Sequence, residues 1–184
     1  MKAKITATAK YLPKKTLTNL DLEKMVDTSD EWILSRTGIE KRHLVSDGEA
    51  TSDMCKEVAL ELLKKSNKNP DEIDLILVAT STPDVPVVST AALVQDKIGA
   101  KNAWGYDIVA ACTGFVYAME TGAKLVESGK YKNVIVIGAD TMSSIIDYTD
   151  RNTCVIFGDG GGGVLLEPSD DDCGVLDSIL LADG

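Results

Sequence analysis

Two short runs without a polar residue, Leu75-Ile-Leu-Val-Ala79 and Val134-Ile-Val-Ile137, constrain the fold of this chain more than any other feature. A strand that is apolar on both faces must be covered on both faces. Each run is strand-sized rather than helix-sized, and helix-length segments flank it. The arrangement predicts an α/β chain with a sheet between helices. Both runs fall far short of the ~18 apolar residues that a membrane-spanning helix needs.

The rest of the chain supplies those helices. Thr28-Ser-Asp-Glu31 reads as a capping box that opens a short helix through about Ser35, with Gly38 as its stop. From Thr51 to Ser66, the residues Met54, Cys55, Val58, Ala59, Leu62 and Leu63 share one face at helical spacing. Asn69-Pro70 ends that segment. A helix from about Ser89 to Ile98 ends at Gly99, and another runs from about Thr113 to Glu127. Ile5–Ala9 and Tyr106–Val109 read as strands. Val164–Leu166 and Val175–Leu181 read as a closing strand pair around the polar turn Pro168–Gly174. The expected fold is a mostly parallel mixed sheet with helices on both faces, in a single domain over residues 1–184.

Charge and cysteine usage narrow the function. The chain has 184 residues and a net charge of −10, which argues against nucleic acid as a partner. The charge is uneven: residues 1–69 carry 13 basic and 11 acidic side chains, and the remainder 6 and 18. Met1-Lys-Ala-Lys-Ile5 has no signal-peptide core, and no membrane partner is expected. The four cysteines, Cys55, Cys112, Cys154 and Cys173, form no C-x-x-C pair, and His43 is the single histidine. A reducing, cytoplasmic setting and no metal site are the expectation.

Cys112 is the residue whose context points to chemistry. It falls where a buried strand bends into a helix, among Ala110, Ala111 and Gly114, which permit a tight turn. Sites of α/β proteins lie at that edge of the sheet, and a helix N-terminus favours thiolate. The tract Phe157-Gly-Asp-Gly-Gly-Gly-Gly163 contains G-x-G-x-x-G, but strand-like Val164-Leu-Leu-Glu-Pro168 follows where a dinucleotide fold needs a helix. These glycines are expected to let the backbone crowd a neighbour or a substrate. Trp32 and Arg36 are i, i+4 on one helix and, with Arg151, form a candidate aromatic and cationic nucleotide site. Asp170-Asp-Asp172 reads as a solvated turn rather than a metal site.

Four stretches together resemble the β-ketoacyl-acyl-carrier-protein synthase III family. They are Asp30-Glu-Trp-Ile33 with Arg36-Thr-Gly-Ile39; Asp74–Thr80; Asp107-Ile-Val-Ala-Ala-Cys-Thr-Gly-Phe115; and Asp150-Arg-Asn-Thr153 with Phe157-Gly-Asp-Gly160. The resemblance implies the N-terminal half of a thiolase fold, with the C-terminal half-repeat absent. It implies Cys112 as the acyl-accepting nucleophile and Thr28, Trp32, Arg36 and Arg151 as the coenzyme A site, with adenine between Trp32 and Arg151. The implied reaction joins an acyl group from acyl-CoA to malonyl-acyl-carrier protein with loss of CO2. No cofactor is implied beyond the coenzyme A thioester, which is a substrate. The implied partners are acyl-CoA, acyl carrier protein and either a second copy in a homodimer or a chain carrying the C-terminal half. That half supplies a His and an Asn to the family's catalytic set, and is expected to cover Leu75–Ala79 and Val134–Ile137. At Val87 the chain departs from the family's usual Phe-Pro-Ser-type run. Two alternatives stand beside this reading: a non-catalytic fragment or subunit that binds coenzyme A or a complementary chain, and a sister thiolase-fold synthase.

Overall fold

Both apolar runs are central strands of one five-stranded sheet. The computed structural model describes residues 1–171 and 173–182. In chain order the first elements are β1 (Lys2–Tyr11), β2 (Lys15–Thr18), α1 (Asn19–Leu22), α2 (Asp30–Thr37), β3 (Lys41–Leu44) and α3 (Thr51–Ser66). They continue with β4 (Leu75–Ala79), α4 (Thr90–Ile98), β5 (Trp104–Ile108), α5 (Gly114–Glu127), β6 (Val134–Thr141), α6 (Arg151–Cys154) and β7 (Asp159–Ser169). The large sheet has the order β1-β7-β6-β4-β5, and β2 pairs with β3 in a separate ribbon.

Alternation along the central strands sorts their side chains onto two helix layers. Ile76, Val78, Ile135 and Ile137 pack with Val58 and Leu62 of α3 and Val94 of α4. Leu75, Leu77, Val134 and Val136 pack with Ala118 and Val126 of α5. Every one of these strand residues is fully buried. The expectation that another chain segment covers them is therefore corrected: α3, α4 and α5 already do so. A third cluster, built on Leu22, Ile33, Cys154 and Val155, joins α1, α2 and α6.

The sheet is mixed, with less parallel pairing than expected. β4 runs parallel to β5 and β6, whereas β7 runs antiparallel to both β6 and β1. The closing hairpin is not formed. The two edges of β7 are occupied by β6 and β1, which leaves no edge for Val175–Leu181. Among its described residues that segment has no strand, and Val175 N–H donates to the Ala3 carbonyl at 2.8 Å. The glycine tract opens β7 as strand rather than loop. It does crowd a neighbour: a Cβ on Gly163 would lie 2.7 Å from the Val136 carbonyl oxygen and 2.9 Å from Val58 Cγ1.

Helix ends follow local chemistry. Gly38 and Gly99 close α2 and α4 in the left-handed conformation, at φ +70° and +72°. The cap of α2 is shifted by one residue from the expected capping box. Ser29, not Thr28, receives the Trp32 N–H, at 3.1 Å. The Asp30 N–H is meanwhile taken by Glu23 Oε1 at 2.7 Å. Asp170 and Asp171 are exposed, and Asp172 lies outside the described residues.

Candidate active site

Cys112 stands on a turn that the chain makes under strain. β5 ends at Ile108, a 3-10 turn covers Ala111–Thr113, and α5 begins at Gly114. Ala111 has φ +45°, a left-handed conformation unfavourable for a residue with a Cβ. Gly114 lets the turn seat on the sheet, since a Cβ there would lie 3.3 Å from Ala79 Cβ. The turn projects Cys112 into solvent-accessible space as a free thiol. It borders a pocket of about 450 Å³ whose other walls include Ser81, Asp140, Met142, Ile145 and Phe157. The pocket lies where the C-terminal ends of β4–β6 meet the start of β7, the end at which α/β sheets place their ligands.

The other cysteines differ from it. Cys55 is fully buried in α3, and burial pushes its thiol well above the usual cysteine range. Cys154 is also buried, and its thiol is raised first by burial and then by Asp150. Cys173 is exposed and borders a separate pocket with Lys4, Ile5 and Val175. His43 lies on β3, where its Nδ1 is 2.6 Å from the Pro13 carbonyl oxygen. Among the described residues no group of three His, Cys, Asp or Glu side chains is placed to hold a metal.

Two carboxylates, Asp140 and Asp159, brace the walls of the Cys112 pocket, and a third, Asp107 on β5, caps α4; the sequence alone gave no role to any of them. Asp140 accepts hydrogen bonds from Thr80 Oγ1 at 3.0 Å, Ser81 N–H at 2.7 Å and Thr82 Oγ1 at 3.0 Å. Buried Asp159 accepts from Val45 N–H at 2.8 Å, Ser143 N–H at 2.8 Å and Ser143 Oγ at 2.6 Å. Asp107 accepts the first amides of α4, Thr90 at 2.6 Å and Ala91 at 2.8 Å. A lone acidic residue at the end of an apolar run was the available signal. Its meaning depends on which backbone amides the fold brings to it.

A second pocket of about 320 Å³ gathers Asp27, Thr28, Ser29, Trp32 and Arg151. The Arg151 guanidinium lies 4.7 Å from the centre of the Trp32 ring, within cation–π range. Asp150 caps α6, its Oδ1 receiving the Asn152 N–H at 3.0 Å, so Arg151 is fixed at the first position of that helix. Thr28 Oγ1 is buried without a hydrogen-bond partner. Arg36 is exposed, one turn along α2 from Trp32, and does not line this pocket. The structure thus brings Thr28, Trp32 and Arg151 together and leaves Arg36 beside them.

This fold is that of a thiolase-like α/β half: a mixed sheet between helices, with an exposed cysteine on the turn that leads into α5. Residues 106–184 match the family described as 3-oxoacyl-[acyl-carrier-protein (ACP)] synthase III. Two curated relatives named beta-ketoacyl-[acyl-carrier-protein] synthase III align with the whole chain. The one from Chlorobium phaeovibrioides is 60% identical and the one from Chlorobium chlorochromatii 62%, and each alignment covers 56% of the relative. The crystal structure of 3-oxoacyl-[acyl-carrier-protein] synthase III from Aquifex aeolicus superposes with TM-score 0.89 at 50% identity, over 92% of this chain and 55% of that one. A priming beta-ketosynthase from the R1128 polyketide pathway superposes equally well, at TM-score 0.89, with 33% identity over 92% of this chain and 51% of that one. The chain is similar to the 3-oxoacyl-[acyl-carrier-protein] synthase III family, and it spans about half the length of the curated relatives it matches.

Proposed function

We propose that this chain carries the acyl-accepting half of a condensing enzyme that starts fatty-acid synthesis. The observation that carries the reading is Cys112, an exposed thiol on a strained strand-to-helix turn beside a 450 Å³ pocket. In this reading the Cys112 thiolate attacks the carbonyl carbon of an acyl-CoA. The C–S bond to coenzyme A breaks, coenzyme A leaves as its thiol after taking up a proton, and the acyl group stays on Cys112 Sγ. The acyl-enzyme then condenses with malonyl-acyl-carrier protein, releasing CO2. The second pocket receives the nucleotide of coenzyme A, with Thr28, Trp32, Arg36 and Arg151 as its contacts. Three stacked planes, with two contacts of ~3.5–4.0 Å each, span about 7–8 Å between the outer ones. Adenine between Trp32 and Arg151 therefore requires the pair to part from its 4.7 Å contact.

The whole reaction needs the other half of the family's length, together with acyl carrier protein, and we read the intact enzyme as a homodimer. The four free cysteines fit a reducing compartment, which we read as the cytoplasm. Among the described residues no helix is long and apolar enough to cross a membrane. A sister polyketide starter synthase is the second reading. Its solved representative superposes as closely, but identity is 33% against 50% for the Aquifex enzyme, which favours the fatty-acid assignment.

Incubation with acetyl-CoA and peptide mass mapping tests the assignment. One acetyl group is expected on the peptide containing Cys112. Acetylation at Cys55, Cys154 or Cys173 instead would reject it.

A further inference from the structure

We propose that Arg42 is a positioning residue for the Trp32–Arg151 pair, acting through a buried strut between the two helices that carry them. The proposal rests on reading that pair as the nucleotide clamp. Arg42 lies on β3 and is 3% exposed. Its Nη1 donates to Asn19 Oδ1, and its Nη2 donates to the Val155 carbonyl. Asn19 Nδ2 donates in turn to Asp30 Oδ1 and to the Ile39 carbonyl, each at 2.8 Å. Asp30 is the first residue of α2, and Val155 caps the end of α6. The path Asp30–Asn19–Arg42–Val155 therefore joins the helix of Trp32 to the helix of Arg151.

The composition of the strut argues for geometry over stabilisation. Both acceptors of Arg42 are neutral, and among the described residues its Nε has no hydrogen-bond partner. Burying a cation against neutral acceptors alone is costly, and an apolar side chain would stabilise such a site more simply. What arginine supplies is a planar fork whose two donors hold two acceptors at a fixed spacing, which a lysine ammonium cannot do.

The test compares the wild-type chain with Arg42→Lys, Arg42→Gln and Trp32→Ala. Calorimetry measures binding of adenosine 3′,5′-bisphosphate. Mass spectrometry measures acetylation of Cys112 by acetyl-pantetheine, a thioester that lacks the nucleotide. Both Arg42 variants are expected to weaken the bisphosphate about tenfold, on the scale of losing one cation–π or stacking contact. Their acetyl-pantetheine rates are expected to stay at the wild-type level. Unchanged bisphosphate affinity would overturn the proposal. So would a parallel fall in both readouts, or failure of both variants to fold, because each reduces Arg42 to general support. If Trp32→Ala binds less well while the Arg42 variants bind normally, the strut alone is rejected. If Trp32→Ala also binds as wild type, the clamp reading fails with it.

Discussion

Adjacent glycines in β7 have opposite tolerances. A Cβ on Gly163 meets a sheet carbonyl at 2.7 Å and a Val58 methyl at 2.9 Å, and a carbonyl held in the ladder cannot retreat. Gly163→Ala is expected to destabilise by about 2 kcal/mol, within the ~1–3 kcal/mol typical of overpacking. A Cβ on Gly162 has only the Ala9 carbonyl oxygen nearby, at 3.7 Å. Gly162→Ala is expected to be neutral or slightly stabilising, because glycine in a strand carries excess entropy. Urea midpoints at constant m-value separate the two. Tyr11 gives a pH handle. Its hydroxyl donates to Glu49 Oε1 at 2.7 Å, and that hydrogen bond, with burial second, pushes the phenol up to about 12. The folded state holds this proton more tightly than the unfolded one. The stability it contributes is complete below about pH 10 and is lost as pH rises towards 12. In difference titrations at 295 nm, Tyr11→Phe should remove the step near 12, and Glu49→Gln should move it towards 10. A step that ignores Glu49→Gln would refute the cause.

At the level of elements, the pocket is held by carboxylates that cap backbone. Asp107, one residue before the end of β5, takes both leading amides of α4, so one side chain pins the start of α4 to the strand that leads to Cys112. Asp107→Asn keeps the shape and loses the charge. A hydrogen bond to a charged group is worth ~1.5–3 kcal/mol and a neutral one about 1 kcal/mol. Thermal unfolding should register a loss of about 1–2 kcal/mol, and no shift would show that water replaces the cap at no cost. Much of this layer was legible in the sequence. Thr51–Ser66 and Leu75–Ala79 stand where periodicity and the apolar run put them, and Gly38 and Gly99 end their helices as left-handed caps. Cys112 was legible because small residues at a strand-to-helix bend leave a local trace. Val164–Leu166 reads as strand, but the glycine part of β7 was not legible, because glycine has poor strand propensity. Its placement is imposed by the close approach of Val58 and β6, which are distant in sequence. The antiparallel partners of β7 were hidden for the same reason, since strand edges compete across the whole chain. Arg42 gave no sign either, as one of two adjacent basic residues in Glu40-Lys-Arg-His43 looks solvated until the segments of Asn19 and Val155 close over it.

For the whole molecule, the central strands are sealed within the chain, and the apolar side chains left open lie elsewhere. Val87 is 94% exposed, Val109 75%, Leu176 74% and Ile179 82%. Decarboxylation of a malonyl thioester develops enolate charge, and loss of one positioned donor to such charge typically costs about 100–1000-fold. The one histidine here is occupied with Pro13 on β3. The pure 184-residue chain is therefore expected to release no measurable CO2 from malonyl-acyl-carrier protein, while a separately produced complementary half restores release if the two dock. Turnover by a preparation shown by intact mass to hold this chain alone would contradict that. The pairing of β1 with β7 also has a cost in time. Thr6 and Leu165, whose hydrogen bond ties these strands together, are 159 positions apart. At ~5–20 residues per second, a ribosome needs roughly 8–30 s to travel that distance. For that interval β1 has no ladder to join, and it is during synthesis, more than after it, that this strand is open to the wrong neighbour.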